Sequence, residues 1–147
     1  YSPEVILSGR KLNDSMGEYI AQRVLKKMIS NSIIVEESKI LVLGFTFKEN
    51  CPDIRNTKVV DIVKEFRDYK AHVDIYDPWV NKNEVIIEHN LKINSKIPKL
   101  QYDAIILAVA HDLFLDIDIS KLSYDKTVVF DVKSFLPEKD NLKIDRL

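Results

Sequence analysis

The order of apolar and polar residues along the chain predicts strands that alternate with helices. Apolar and β-branched runs predict strands over residues 39–44, 71–76, 104–110 and 127–132. Apolar residues at helical spacing predict helices over 9–30, 56–68 and 80–90. In the second helix Val59, Val60, Ile62, Val63 and Phe66 are expected to face the core.

Strands separated by helices indicate right-handed βαβ units. The sequence therefore predicts an α/β fold, a Rossmann-like three-layer α/β/α arrangement with a mainly parallel sheet, preceded by a helical segment. Within the first helix, Ser15 and Glu18 have the spacing of a capping box, or they fall by coincidence inside a longer helix.

Composition narrows the class of protein. The 147 residues suit one domain, and 46% hydrophobic with 31% charged residues is ordinary for a globular protein. The net charge of -1 argues against general nucleic-acid binding, and no apolar run is long enough for a membrane span. The single Cys51 excludes an internal disulfide and suits the cytoplasm. Because the chain begins with Tyr1, we expect a piece of a longer protein.

The strand-to-helix segment 44–58, GFTFKENCPDIRNTK, holds the densest candidate chemistry. Ligands of α/β sheets usually bind at such turns. Only Gly44 remains of the G-x-G-x-x-G pattern that cradles a dinucleotide pyrophosphate. Lys48 can hold a phosphate as a point charge, and Phe47 can pack against a ribose or base. The alternative is a solvated Lys48 beside a core Phe47.

This segment resembles the signature of the C-terminal UDP-binding domain of the UDP-glucose/GDP-mannose dehydrogenase family. The resemblance is greatest to enzymes that oxidise UDP-N-acetylhexosamines (GlcNAc, GalNAc or ManNAc) to uronic acids for capsule and O-antigen synthesis. Weaker matches lie in three further segments, and the resemblance as a whole extends from about residue 1 to residue 136. These segments are 3–14, 102–114 and 129–133.

The resemblance implies roles for five residues. Phe47 and Lys48 are expected to contact the UDP-sugar substrate, and Arg55 to reach NAD held by an N-terminal domain. Asp53 is expected to orient Arg55 or to cap the following helix. Lys133 stands where many relatives have a substrate-binding arginine, so it is either a substrate contact or a surface lysine.

Other polar residues are interpreted from their place beside the predicted strands. His111 lies at the end of the third strand, where it either approaches a ligand or has a structural role. Asp77 and Pro78 are interpreted as a turn. Cys51 is rejected as a nucleophile because no nearby histidine activates it. The family's catalytic cysteine lies outside this chain, so no catalytic residue is assigned here. His72 and His89 show no metal-ligand spacing, and no metal is expected.

The resemblance also implies an organisation and an activity. Residues 1–32 would form the end of a central helical dimerisation segment, and residues 33–147 would form the UDP-sugar-binding domain. Within the first of these, Arg10 and Asn13 can approach the active site. The intact cytoplasmic homodimer would oxidise the C6 alcohol with NAD, whereas this chain alone is expected to be inactive. The alternatives are a ligand-free assembly domain and a flavodoxin-like signalling module. The sequence does not distinguish between the hexosamines.

Overall fold

A computed structural model describes residues 15–147 of the chain. Its elements, in chain order, are helix α1 (Met16–Ser30), strand β1 (Lys39–Leu43), helix α2 (Val59–Asp68), strand β2 (His72–Tyr76), helix α3 (Lys82–His89), strand β3 (Tyr102–Leu107), two 3-10 helices (Asp112–Asp116 and Ile119–Leu122), strand β4 (Ser123–Asp131) and strand β5 (Ile144–Arg146). The strands form one parallel sheet of order β2–β1–β3–β4–β5. The predicted Rossmann-like parallel-sheet fold is therefore confirmed.

Each face of the sheet packs against a separate apolar cluster. On one face α1 and α2 cover alternate residues of the strands. Val59, Ile62, Val63 and Phe66 of α2 are buried there as predicted, and Val60 is half-buried against them. On the other face the 3-10 helices supply Phe114, Ile119 and Leu122. The second outer layer thus consists of 3-10 helices beside the sheet.

The helix predictions differ from the structure at the starts of the helices. The first described helix begins at Met16, and the predicted start at residue 9 lies outside the described residues. Its N-cap residue Ser15 makes no side-chain capping bond, so the capping box is not formed. Helix α2 begins at Val59 instead of residue 56, because Asn56 has a φ of 61° that a right-handed helix does not allow.

The predicted strands differ from the structure at both ends, and β3 begins at Tyr102 and β4 at Ser123, earlier than predicted. Strand β3 ends at Leu107 rather than at residue 110, because the Leu43 carbonyl accepts the N–H groups of both Ala108 and Val109 and the chain turns there. Strand β5 was not predicted, since its three residues follow a polar segment. It pairs with the last three residues of β4.

Helix α1 approaches α2 closely at Gly17. A Cβ atom at this position would lie 2.6 Å from the Lys58 carbonyl oxygen and 2.8 Å from the Asp61 Cβ. Glycine is therefore required for the contact between the two helices, since backbone atoms cannot move aside as the end of a side chain can.

We expect Gly17→Ala to lower the free energy of unfolding by about 1–3 kcal/mol. Alanine ordinarily stabilises a helix interior by about 1 kcal/mol relative to glycine. A loss of stability in this variant would therefore indicate the close contact between the helices. Urea denaturation followed by circular dichroism measures it. The exposed Ser30→Ala in the same helix is the control, and a stabilised Gly17→Ala variant would contradict the packing described.

Candidate functional site

The carboxyl ends of β1, β3 and β4 meet at a cavity of about 220 Å³. Its lining includes Phe47 and Lys133, two of the predicted site residues, together with Lys58 at the start of α2. Its apolar wall comes from α1, α2 and the turns after β3 and β4. Parallel strands end at one edge of the sheet, which explains why residues distant in sequence face one space.

The loop after β1 is anchored at both of its ends. Gly44 has a φ of +99°, and a Cβ there would lie 2.6 Å from the Val109 Cβ. The Phe47 N–H donates to the Asp53 carbonyl across the loop at 2.8 Å. The loop is thus held in a defined shape, with Phe47 45% exposed at the cavity and Lys48 exposed beside it.

A buried carboxylate organises the start of this loop. Asp77, which follows β2, is 2% exposed and accepts the N–H groups of Phe45 at 2.6 Å and Thr46 at 3.1 Å. Its other oxygen accepts the Trp79 N–H at 2.8 Å. The predicted turn at Asp77 and Pro78 is present, and the carboxylate inside it also holds the neighbouring loop.

His111 completes this network from the end of the β3 turn. Its Nδ1 accepts the Asn50 N–H at 2.9 Å, which assigns the proton to Nε2. Nε2 then donates to Asp77 at 2.9 Å and lies 3.2 Å from the Thr46 hydroxyl. That hydroxyl donates to the Lys48 carbonyl at 2.8 Å. His111 is fully buried, and it supports the Phe47–Lys48 loop from behind.

The hydrogen bonds around Asp77 favour the ionised form of its carboxyl group. Burial raises the pKa of Asp77, but the hydrogen bonds from His111, Phe45 and Trp79 outweigh burial and bring the pKa below its ordinary value of 3.8. The buried group is therefore an ionised carboxylate at neutral pH, satisfied by four N–H donors.

Arg55 projects from the same loop into solvent. Its Nε and one terminal nitrogen each donate to Asp53 at 3.0 Å, and its side chain is 81% exposed. The hydrogen bond from Arg55 lowers the pKa of Asp53 to about 2. The predicted orienting contact is present, whereas Asp53 does not cap α2, whose N-cap position is Lys58.

Lys133 lies in a turn that a second buried carboxylate holds. Asp131, fully buried at the end of β4, accepts the N–H groups of Lys133 at 3.1 Å, Phe135 at 2.7 Å and Leu136 at 2.7 Å. Arg146 of β5 donates to the same carboxylate at 2.8 Å. The backbone position of Lys133 is therefore determined by β4, β5 and the turn between them.

The structure brings some predicted residues together and leaves others apart. Phe47 and Lys133 line one cavity, while Lys48 and Arg55 lie on the same loop outside its lining. The sequence reasoning missed the organising roles of Asp77 and Asp131. A carboxylate directly after a buried strand was the available signal. It also missed Lys58, a lysine placed where helices usually begin with an oxygen-bearing side chain.

The turn after β1 does not fit the pyrophosphate of a dinucleotide. The space beside Gly44 is filled by Val109, and the first two N–H groups of the loop are bonded to Asp77. A cradle would need those groups free and the glycine open. Among residues 15–147, no three histidine, cysteine or acidic side chains are grouped to bind a metal.

Comparison with known proteins identifies the family. Residues 41–138 match the model of the UDP-glucose/GDP-mannose dehydrogenase family, UDP binding domain. The chain belongs to this family. The match includes the loop after β1 and the turn after β4, which carry Phe47 and Lys133.

Relatives within the family extend the match over the chain. The UDP-N-acetyl-D-glucosamine 6-dehydrogenase of Salmonella typhi is 49% identical over 144 residues, 96% of this chain and 34% of the relative. The enzyme of the same name from Pseudomonas aeruginosa is 44% identical over 148 residues, 98% of this chain and 35% of the relative. The chain thus spans about a third of the length of these relatives.

A solved structure of the family shows the same fold. The UDP-D-ManNAc dehydrogenase of Pyrococcus horikoshii superposes with a TM-score of 0.80 at 21% identity, over 99% of this chain and 34% of that one. At this identity the likeness concerns the fold. Within residues 15–147, every helix is too short or too polar to cross a membrane.

Proposed function

We propose that this chain is the UDP-sugar-binding domain of a NAD-dependent UDP-N-acetylhexosamine 6-dehydrogenase in surface polysaccharide synthesis. The observation that carries the proposal is the cavity at the carboxyl edge of the sheet, where Phe47 and Lys133 meet within the matched UDP-binding domain. The substrate class and the oxidised position are those of the two relatives, which are UDP-N-acetyl-D-glucosamine 6-dehydrogenases.

The proposed contacts follow from the chemistry of the side chains. Phe47 presents an aromatic face for the ribose or the uracil ring. Lys48 and Lys133 supply positive charge for the phosphates as point charges, without the two-bond geometry of an arginine. Binding energy from the nucleotide would hold the hexosamine in place for oxidation at C6.

Arg55 is the proposed contact to NAD. Asp53 holds its guanidinium through two hydrogen bonds, which leaves further N–H groups exposed for a phosphate of the cofactor. NAD would accept the hydride in each oxidation step. Because the turn after β1 does not fit a pyrophosphate, most of the NAD site is assigned to a part of the enzyme beyond this chain.

The full-length enzyme is proposed to be a homodimer in the cytoplasm. Residues 1–32 are assigned to the end of a central dimerisation segment and 33–147 to the binding domain of a cytoplasmic homodimer. Arg10 and Asn13 lie outside the described residues. No catalytic residue is assigned here, so we expect the isolated chain to show no dehydrogenase activity with NAD and UDP-N-acetylglucosamine.

An NMR titration of the isotope-labelled chain tests the binding site. We expect UDP to shift the backbone signals of Phe47, Lys48 and Lys133, and the dissociation constant to rise about fivefold to tenfold in Lys48→Ala or Lys133→Ala. UDP-N-acetylglucosamine should shift the same signals. Lys126→Ala, an exposed lysine at the other end of β4, is the matched control and should bind as wild type.

Two results would oppose the proposal. Shifts confined to residues away from the cavity would place the nucleotide elsewhere. Unchanged spectra at millimolar UDP, both in this chain and in a full-length enzyme that contains it, would leave a fold that serves assembly without a ligand.

A further inference from the structure

Lys58 occupies a position that disfavours a lysine on structural grounds. It is the N-cap residue of α2 and makes no side-chain capping bond. A side-chain oxygen is the usual cap at the start of a helix, and here the neighbouring Thr57 supplies it, because its hydroxyl accepts the Val59 N–H at 3.2 Å. A positive charge at this end is repelled by the helix dipole. The stability of α2 therefore does not account for the residue.

The cavity gives Lys58 an alternative role. Lys58 and Lys133 line the same cavity from α2 and from the turn after β4. Among the side chains of residues 15–147, neither lysine has an acidic partner within ion-pair distance. Two half-exposed or exposed cations that share one cavity without a counter-charge repel each other unless an anion lies between them.

We propose that Lys58 is a substrate-binding residue that, with Lys133, holds the diphosphate of the nucleotide sugar. This inference rests on the proposed function and adds a second cation to the cavity. Two lysines suit two linked phosphates, and the beginning of α2 adds a favourable dipole for the same anion. Lys58 would thereby select nucleoside diphosphates over monophosphates.

Binding of UDP and UMP to wild type, Lys58→Gln and Lys64→Gln tests the inference. Lys64 is an exposed lysine of the same helix and serves as the matched control. We expect Lys58→Gln to raise the dissociation constant for UDP about tenfold and that for UMP about twofold, because UMP lacks the second phosphate. Lys64→Gln should leave both constants unchanged.

A stability measurement separates this role from a structural one. Lys58→Ser removes the unfavourable positive charge from the start of α2 and leaves the cap from the Thr57 hydroxyl in place. Because the charge no longer opposes the helix dipole, we expect the melting temperature to rise by about 1–4 °C while the affinity for UDP falls like that of Lys58→Gln. If Lys58 were a structural residue, the same change would lower the melting temperature.

The outcomes distinguish this inference from the proposed function. If Lys133→Ala weakens UDP binding and Lys58→Gln does not, Lys58 is no phosphate ligand and the proposed function stands. Equal losses for UDP and UMP in Lys58→Gln would remove the diphosphate preference. If wild type binds no UDP in the chain or in the full-length enzyme, both the inference and the proposed function are overturned.

Discussion

Replacing Asp77 with alanine is expected to lower the free energy of unfolding by about 3–5 kcal/mol, because four donors lose a buried charged acceptor. The N–H groups of Phe45, Thr46 and Trp79 and the Nε2 of His111 would be left without it. Urea denaturation at pH 7 measures the loss. We also expect the NMR signals of Phe47 and Lys48 to broaden, since the loop loses its anchor.

The pH dependence of this effect follows from the lowered pKa of Asp77. Its stabilisation is fully present above the ordinary pKa of 3.8 and is lost as the pH falls toward the lower pKa of the folded state. The stability difference between wild type and Asp77→Asn should therefore shrink below pH 3.8. Asp68→Asn, an exposed aspartate at the end of α2, is the control. A difference that grows with acid would contradict the assigned charge.

Replacing Asp131 with alanine is expected to cost about 3–4 kcal/mol of unfolding free energy. The change removes the acceptor for three backbone N–H groups and leaves Arg146 with the Leu136 carbonyl but without its carboxylate partner. Because these bonds hold the turn that carries Lys133, we expect weaker UDP binding together with the lower stability. Urea denaturation and the UDP titration measure the two effects.

A second ion pair at β5 provides the matched control. Asp145 lies 3.4 Å from Lys27, and the side chains are 18% and 42% exposed. Exposed pairs contribute little, so we expect Asp145→Ala to cost about 1 kcal/mol or less. Equal losses in Asp131→Ala and Asp145→Ala would show that the buried hydrogen bonds of Asp131 are not the source of the stability.

The order of elements was predictable from the sequence because it depends on local pattern. The apolar run of β1 and the apolar stripe of α2 are each contained in about a dozen residues, and the structure has both. The ends of elements were less predictable. Asn56 adopts a left-handed conformation that begins α2 later, and β5 forms only because β4 lies beside it. Pairing partners of this kind are absent from a local window.

The residues of the candidate site also differ in how far they could be predicted from local sequence. The Phe47–Lys48 pair and the Asp53–Arg55 pair lie within one loop, so a sequence block indicated all four. Asp77 and His111 were underestimated because their partners lie 31 to 65 residues away. Hydrogen bonds over such separations exist only after the strands have been brought side by side, and no local pattern encodes them.

The sequence by itself determined the alternating α/β order, the family and the loop that carries Phe47, Lys48 and Arg55, because each is written in contiguous residues. Only the tertiary structure decided that Phe47, Lys58 and Lys133 face one cavity. It also decided that Asp77 and Asp131 hold the loops around that cavity. The physical reason is that parallel pairing brings the carboxyl ends of distant strands to one edge, where buried carboxylates must find their donors in neighbouring loops.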